Sequence, residues 1–209
     1  MIFGAWYLGE VAAEIFELTD QPVLGFVDPE PAEHLKTVDV FPEDASAFVA
    51  IGTNPIREYV CNRLLAHSRR LKSIFHPSAI VSASATLGEN TFLAEYSVVR
   101  TAVTAGDGLS LQAGGVISHH CKVGNFVSIG PNAAIGSKAR IGDRTLIGIG
   151  ATIKPGIQIG PDCTIGAGAV VVRDIPAERT VVGNPARSIK SFDSGTRERQ
   201  SNWKTNQVW

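Results

Sequence analysis

Two adjacent histidines, His119 and His120, sit in the segment Ile117-Ser118-His119-His120-Cys121-Lys122-Val123-Gly124. Imidazole titrates at about pH 6.5, so a neutral histidine is matched to taking a proton from an attacking amine or hydroxyl. The other chemistry open to two histidines is metal binding. A zinc site needs three convergent protein ligands, and neighbours in the chain rarely both reach one ion. The three cysteines, Cys61, Cys121 and Cys163, stand at no metal-ligand spacing, so no metal is expected.

The element that must position the histidines is a repeat. An aliphatic residue recurs every sixth position from Val81 through Ile117, Val123 and Ile135 to Val171, with Ala105 its weakest member. The next residue is often glycine, as at Gly88, Gly124, Gly148 and Gly166. Four places after the aliphatic one the side chain is small, as at Cys121, Ala133, Ala139 and Cys163. A helix returns to one face every 3.6 residues and a strand every second, so neither explains a period of six. Hexads are the mark of a parallel β-helix. Three per coil would give about five coils and, at roughly 4.8 Å per coil, a prism about 20–25 Å long. The aliphatic and small residues point inward, and the glycine after the aliphatic one is expected where the chain turns tightly. Ile117 and Cys121 then lie inside, leaving His119 and His120 outside near a corner.

A different texture precedes the repeat. Met1–Phe3, Val23–Val27 and Phe48–Ile51 read as strands, with helical spacing at Val11, Ile15 and Leu18 and again at Ile56, Val60 and Leu64. Alternation of strand and helix implies a small parallel α/β unit, Rossmann-like in outline. Ligands of such sheets bind at the carboxyl ends of the strands. Here those ends carry Gly4-Ala5-Trp6-Tyr7-Leu8-Gly9, Asp28-Pro29 and Gly52-Thr53-Asn54. The first loop is Gly-x-x-x-x-Gly, not a dinucleotide fingerprint. Trp6 and Tyr7 either stack on a base or sugar or pack beneath the sheet. The domains are expected at 1–75 (α/β), 76–190 (β-helix) and 191–209, a polar tail without periodicity.

Of the 209 residues 44% are hydrophobic and 19% charged, with net charge −1, which suits one or two soluble domains and not a nucleic-acid binder. No stretch approaches the ~20 apolar residues of a membrane span, and no signal peptide is read at the start. Cys121 and Cys163 fill small inward slots as hydrophobes. The expected setting is reducing and cytoplasmic, with no nucleic acid or membrane partner.

The repeat, the His119-His120 segment and the closing Gly183-Asn184-Pro185-Ala186-Arg187 resemble the hexapeptide acyltransferases. With the α/β unit in front, the chain is similar to the sugar acetyltransferases of the sialic-acid O-acetyltransferase and UDP-4-amino-sugar N-acetyltransferase type, over residues 1–190. The resemblance implies a left-handed β-helix, a homotrimer, and acetyl-CoA in the groove between neighbouring prisms. It implies N-acetylation of an amino group on a nucleotide-linked sugar, for glycan or surface polysaccharide synthesis. Sugar or sialic-acid O-acetylation and a non-catalytic binding β-helix are the alternatives.

In the matching family segment the base is the first residue of His-Glu-Cys or His-Asp-Cys, which lands on His119. His120 replaces the acidic partner, so the tautomer of His119 is expected to be fixed by a backbone carbonyl, water or an acid from elsewhere. Ser128 stands where the family has a second histidine contacting the acetyl group. Ile149 and Ala167, flanked by Gly148 and Gly166, match acetyl-CoA contacts, and Lys154 and Arg187 are candidates for the CoA phosphates. For the nucleotide-sugar the candidates are Gly4, Trp6, Tyr7, Asp28, Gly52 and Asn54. The family loop is Gly-Ala-Gly-Gly-His-Gly, whereas this chain has Gly-Ala-Trp-Tyr-Leu-Gly.

Overall fold

A computed structural model describes residues 1–4, 7–28, 42 and 44–189. The chain divides into two compact units, Met1–Ile74 and Phe75–Ser191.

In the first unit, strands β1 (Ile2–Phe3), β2 (Phe26–Val27), β3 (Ser46–Val49) and β4 (Arg70–Leu71) form one parallel sheet in the order β2-β1-β3-β4. Helix α1 (Tyr7–Leu18) buries Ala12, Ile15 and Phe16, a spacing that gathers them on one face. Phe16 meets Phe48 of β3 edge to face, with ring centroids 6.2 Å apart. The helix ends where Asp20 turns left-handed at φ 53° and the Gln21 amide returns to the Phe16 carbonyl at 2.8 Å. Helix α2 (Asn54–Ala66) starts with Pro55 in its first turn and buries Ile56, Val60, Cys61 and Leu64.

The strands at 23–27 and 48–51 are corrected to Phe26–Val27 and Ser46–Val49, and β4 was not anticipated at all. Nor is Gly4 to Gly9 a single loop. Helix α1 already begins at Tyr7, and Gly9 lies inside it. A Cβ on Gly9 would overlap the Gly4 carbonyl oxygen. The glycine is there because the helix passes directly over the end of β1.

In the second unit, sixteen two-residue strands run from Ile80–Val81 to Val170–Val171. From Ile80–Val81 to Thr152–Ile153 each pairs in parallel with the strand 18 residues on, so three hexads close one coil. Val99, Ile117, Ile135, Ile153 and Val171 are successive partners on one side. Leu111, Ile129, Ile147 and Ile165 stack on the next. Ala105, Val123, Ile141 and Ile159 stack on the last. The prism therefore has three sheet faces. The first runs through Leu146–Ile147, the second through Val116–Ile117 and the third through Lys122–Val123. These aliphatic side chains and the small slots at Cys121, Ala133, Ala139 and Ala169 form one continuous core. Burying each isoleucine contributes about 1.5–3 kcal/mol, and each coil depends on its neighbours.

The role expected of the repeat glycines is corrected. From Asn90 to Gly168 the left-handed residue is the third after each aliphatic one, at φ between 53° and 77°. The glycine directly after the aliphatic residue does not have positive φ. Its lack of a side chain serves close approach: a Cβ on Gly148 would meet the Ala167 amide nitrogen of the next coil. Along the corner between the third and first faces, side-chain oxygens also tie coils together. The amides of Glu89, Asp107 and Asn125 donate in turn to Asp107, Asn125 and Asp143.

The solenoid continues past the last hexad. Thr180–Val182 joins the first face, and Ile175 bridges Ile159. The offset here is 16 residues, as between Ile165 and Val181. Two residues have been lost after Val171, yet the coil closes. Arg187–Ile189 then turns back antiparallel on Thr180–Val182.

Candidate functional site

Three corners separate the three faces, and residues 18 apart stack along each. The corner between the second and third faces carries Ser118-His119-His120, then Gly136-Ser137-Lys138 one coil on, then Lys154-Pro155-Gly156. Ile117 and Cys121 are fully buried on either side, while His119 and His120 are exposed. The backbone fixes both histidines. The His119 carbonyl accepts from the Lys138 amide at 3.0 Å, and the His120 amide donates to the Thr101 carbonyl at 2.9 Å. His120 holds the left-handed position, at φ 61°. In a strand, consecutive side chains point to opposite faces. At this corner they meet: the two Nδ1 atoms are 3.0 Å apart and the rings stand nearly perpendicular, at 88°. The two imidazoles therefore face each other through Nδ1, with donor and acceptor set by the tautomer.

Cys121 follows, and it is not a nucleophile. Burial pushes its thiol up, outweighing its backbone contacts, and its Sγ donates to the Gly136 carbonyl at 3.1 Å. A thiol held protonated does not attack.

The candidate acyl-site residues do not gather in one chain. Gly148-Ile149 and Gly166-Ala167 stack along the corner between the first and second faces, where the Gly168 amide donates to the Ile149 carbonyl at 2.8 Å. Ile149 is 60% exposed there. Lys154 is exposed two coils along the histidine corner. Arg187 lies on the final antiparallel strand, its Nη1 donating to the Ala186 carbonyl at 3.0 Å. Ser128 belongs to the first face, in register with Ser110 and Leu146, and is only 9% exposed. One side of the prism thus separates the histidines from Ile149 and Ala167.

At the carboxyl ends of the first unit's strands, Gly4 is buried at φ 107° beneath the Ala50 carbonyl. Tyr7 opens α1 and is 77% exposed, which removes the packing alternative for it. Trp6 lies outside the described residues. Asp28 is half-buried at the end of β2, and Gly52 is exposed at the end of β3. Asn54 is turned inward, its Oδ1 accepting from Arg57 Nη2 at 2.9 Å.

Arg57 was missed in the sequence. It is 2% exposed, and its Nη1 donates to the Ile51 carbonyl at 2.7 Å and to the Gly52 carbonyl at 3.3 Å. Burial pulls the guanidinium down to about 10, which leaves it charged at neutral pH. The available signal was its place. A cation in the first turn of a helix opposes the helix dipole and needs a reason to be there. The reason is the Ile51–Asn54 turn, which Arg57 holds from within.

Among the described residues, no group of three or more His, Cys, Asp or Glu stands together to hold a metal. No described helix is long and apolar enough to cross a membrane.

The bacterial transferase hexapeptide (six repeats) family matches residues 138–173. The fold is similar to that of PerB from Caulobacter crescentus, solved with CoA and GDP-perosamine. The two are 31% identical with a TM-score of 0.85, covering 90% of this chain and 96% of PerB. The acetyltransferase domain of PglB from Neisseria gonorrhoeae, solved with acetyl coenzyme A, is also 31% identical with a TM-score of 0.85. That match covers 90% of this chain and 97% of the domain. WeeI from Acinetobacter baumannii, 22% identical with a TM-score of 0.82, shares the fold. Identity at this level, sustained across both units, shows that the chain belongs to the same family of hexapeptide-repeat sugar acetyltransferases as PerB and PglB.

Proposed function

We propose that this protein transfers the acetyl group of acetyl-CoA to an amino group on a nucleotide-linked sugar of the 4-amino type, in the synthesis of a surface glycan. One observation carries the reading. The exposed His119, whose neighbours Ile117 and Cys121 are locked in the core, stands on the solenoid of a chain that matches PerB over 90% of its length. Its Nε2 takes the proton as the sugar nitrogen attacks the thioester carbonyl. The carbon–nitrogen bond forms, the carbon–sulfur bond breaks, and the same proton passes to the departing CoA thiolate.

We assign the family's left-handed coiling and homotrimer to this chain as well. The outer row of the second face supports an assembly: Ile80, Val98, Val116, Ala134, Thr152 and Val170 are almost wholly apolar. The outer row of the third face is polar and exposed throughout, with Thr86, Thr104, Lys122, Arg140 and Gln158. A neighbouring prism laid on the apolar row would bring its own Ile149 and Ala167 corner toward His119. Gly148 and Gly166 would let the pantetheine arm approach the backbone, Ser128 would donate to the acetyl oxygen, and Lys154 and Arg187 would meet the CoA phosphates. In the Rossmann-like first unit, Gly4, Trp6, Tyr7, Asp28, Gly52 and Asn54 would form the nucleotide-sugar site. The three buried cysteines, which form no disulfide, fit a reducing, cytoplasmic setting.

The test is incubation with acetyl-CoA and a panel of GDP- and UDP-linked sugars bearing either an amine or only hydroxyls, read by thiol release and product mass. Acetyl gain confined to amines is expected. Transfer to hydroxyl sugars alone, or no thiol release with any acceptor, overturns the reading.

A further inference from the structure

The distance between His119 and His120 restricts where protons sit. With the two Nδ1 atoms 3.0 Å apart, one proton lies between them. Two protons would repel, and none would set two lone pairs against each other. Only two arrangements of the neutral pair remain. If His120 donates, His119 carries its proton on Nε2 and has no outward lone pair. If His119 donates from Nδ1, its Nε2 is bare and can accept a proton. We propose that His120 is the positioning residue that holds His119 in this second tautomer, in the role a carboxylate plays beside the base of other hexapeptide acyltransferases. The proposal rests on the assignment of His119 as the base.

The surroundings leave the role to His120. The charged groups along this corner are Arg100 one coil before, Lys138 one coil after, then Lys154 and Arg173. Lys122 and Arg140 stand on the adjoining outer row of the third face. All are cations and can only donate. The adjoining row of the second face has no titratable residue, and the Cys121 thiol is turned inward to the Gly136 carbonyl. Among the described residues, the first carboxylate on this corner is Asp174, three coils on, whose Oδ1 accepts from the Gln158 amide at 2.8 Å. Of the titratable side chains described on these rows, neutral His120 is the one that can accept from His119 Nδ1, and its own Nδ1 is the atom that stands 3.0 Å away. Its own backbone holds it there, through φ 61° and the bond to Thr101. When His119 takes the substrate's proton on Nε2, its Nδ1–H continues to donate to neutral His120, now from a cation, and the bond strengthens. The proton then leaves from Nε2 with CoA, and the pair returns to its starting state.

Three substitutions separate this role from a structural one. Glycine and asparagine both suit the left-handed backbone. Lysine is tolerated at the equivalent place one coil on, where Lys138 has φ 61°. His120→Asn keeps an acceptor oxygen, His120→Gly removes the partner, and His120→Lys offers only donors. Nitrogen-15 NMR of the intact protein reads which His119 nitrogen carries the proton, and kinetics read kcat and KM. We expect Nδ1–H in the wild type and in His120→Asn, and Nε2–H in His120→Lys. We expect kcat to fall on the order of 10²-fold in His120→Gly and His120→Lys, with KM for acetyl-CoA unchanged and most of the rate recovered in His120→Asn. An Nε2–H form of His119 in the wild type, or a His120→Lys protein that keeps tautomer and rate, overturns the proposal. The NMR needs no substrate. A wild type with the expected tautomer that acetylates nothing would count against the functional reading and not against the pairing.

Discussion

A Cβ on Gly148 would lie 2.6 Å from the backbone nitrogen of Ala167, one coil further along the same corner. Glycine at this place sets how closely coils stack. Gly148→Ala is expected to force the two coils apart and to cost about 1–3 kcal/mol in chemical denaturation. Gly150→Ala meets nothing within 4 Å but sits at φ 65°, so strain alone should cost about 1 kcal/mol. A larger loss at Gly150 than at Gly148 would show that backbone strain, and not coil spacing, limits the corner.

Position along the stack should grade the cost of a cavity. Ile147 is fully buried between Ile129 and Ile165, and Ile147→Ala should cost about 2–5 kcal/mol. Val81 belongs to the first coil and is 37% exposed, so Val81→Ala should cost less than about 1 kcal/mol. Equal losses would contradict a core built from nearest-neighbour coils.

His119 is exposed and spends no side-chain atom on the core. His119→Asn is therefore expected to lower kcat about 10²–10⁴-fold while leaving the melting temperature and the KM for acetyl-CoA close to those of the parent. Full turnover in the variant would remove His119 from the mechanism.

The thiols of Cys121 and Cys163 give a pH dependence with a definite sign. Burial raises both above the ordinary value. The folded state keeps these protons longer than the unfolded chain, whose thiols ionise at about 8.5. Their contribution to stability is whole at neutral pH and is lost as pH rises above about 8.5. Wild type should lose more stability between neutral and alkaline pH than Cys121→Ala, and a thiol reagent should label Cys121 only after unfolding. Rapid labelling of the native protein would contradict the burial.

Arg57 should show which substrate its turn serves. Arg57→Lys keeps the charge but loses the fork that reaches Ile51, Gly52 and Asn54. A loss of about 1.5–3 kcal/mol in stability is expected, with KM rising for the nucleotide-sugar and not for acetyl-CoA. A rise confined to acetyl-CoA would move the sugar site away from this turn.

The solenoid was legible because its signal repeats. Each of the sixteen strands has its aliphatic member at the phase read from the chain, and the 18-residue register follows from three hexads per coil. The phase also put His119 and His120 outside. What it concealed was the reason for each glycine: one small residue answers equally to a tight turn and to close approach, and only the neighbouring coil tells them apart. The meeting of His119 with His120 was hidden for a similar reason. Adjacent side chains are assumed to diverge, and the left-handed backbone at His120 reverses that. In the first unit the strands are two to four residues long, too short for a period to mark their ends, so β4 escaped notice. Arg57 is invisible to any pattern that assigns arginine to the surface.

The shortened last coil and its reversed strand bear on how large this molecule can become. A stack of parallel coils is its own template, since each new edge offers the N–H and C=O groups that held the previous coil. Left open, such an end would recruit another copy and grow into a fibre. Here the offset falls from 18 residues to 16, and Arg187–Ile189 runs backward along Thr180–Val182. The closing edge of that face is occupied by a strand of opposite direction and out of step with the repeat. On that face a second copy's coil would meet an edge that matches neither its direction nor its step, so the strand Arg187–Ile189 blunts the template that the repeat would otherwise offer.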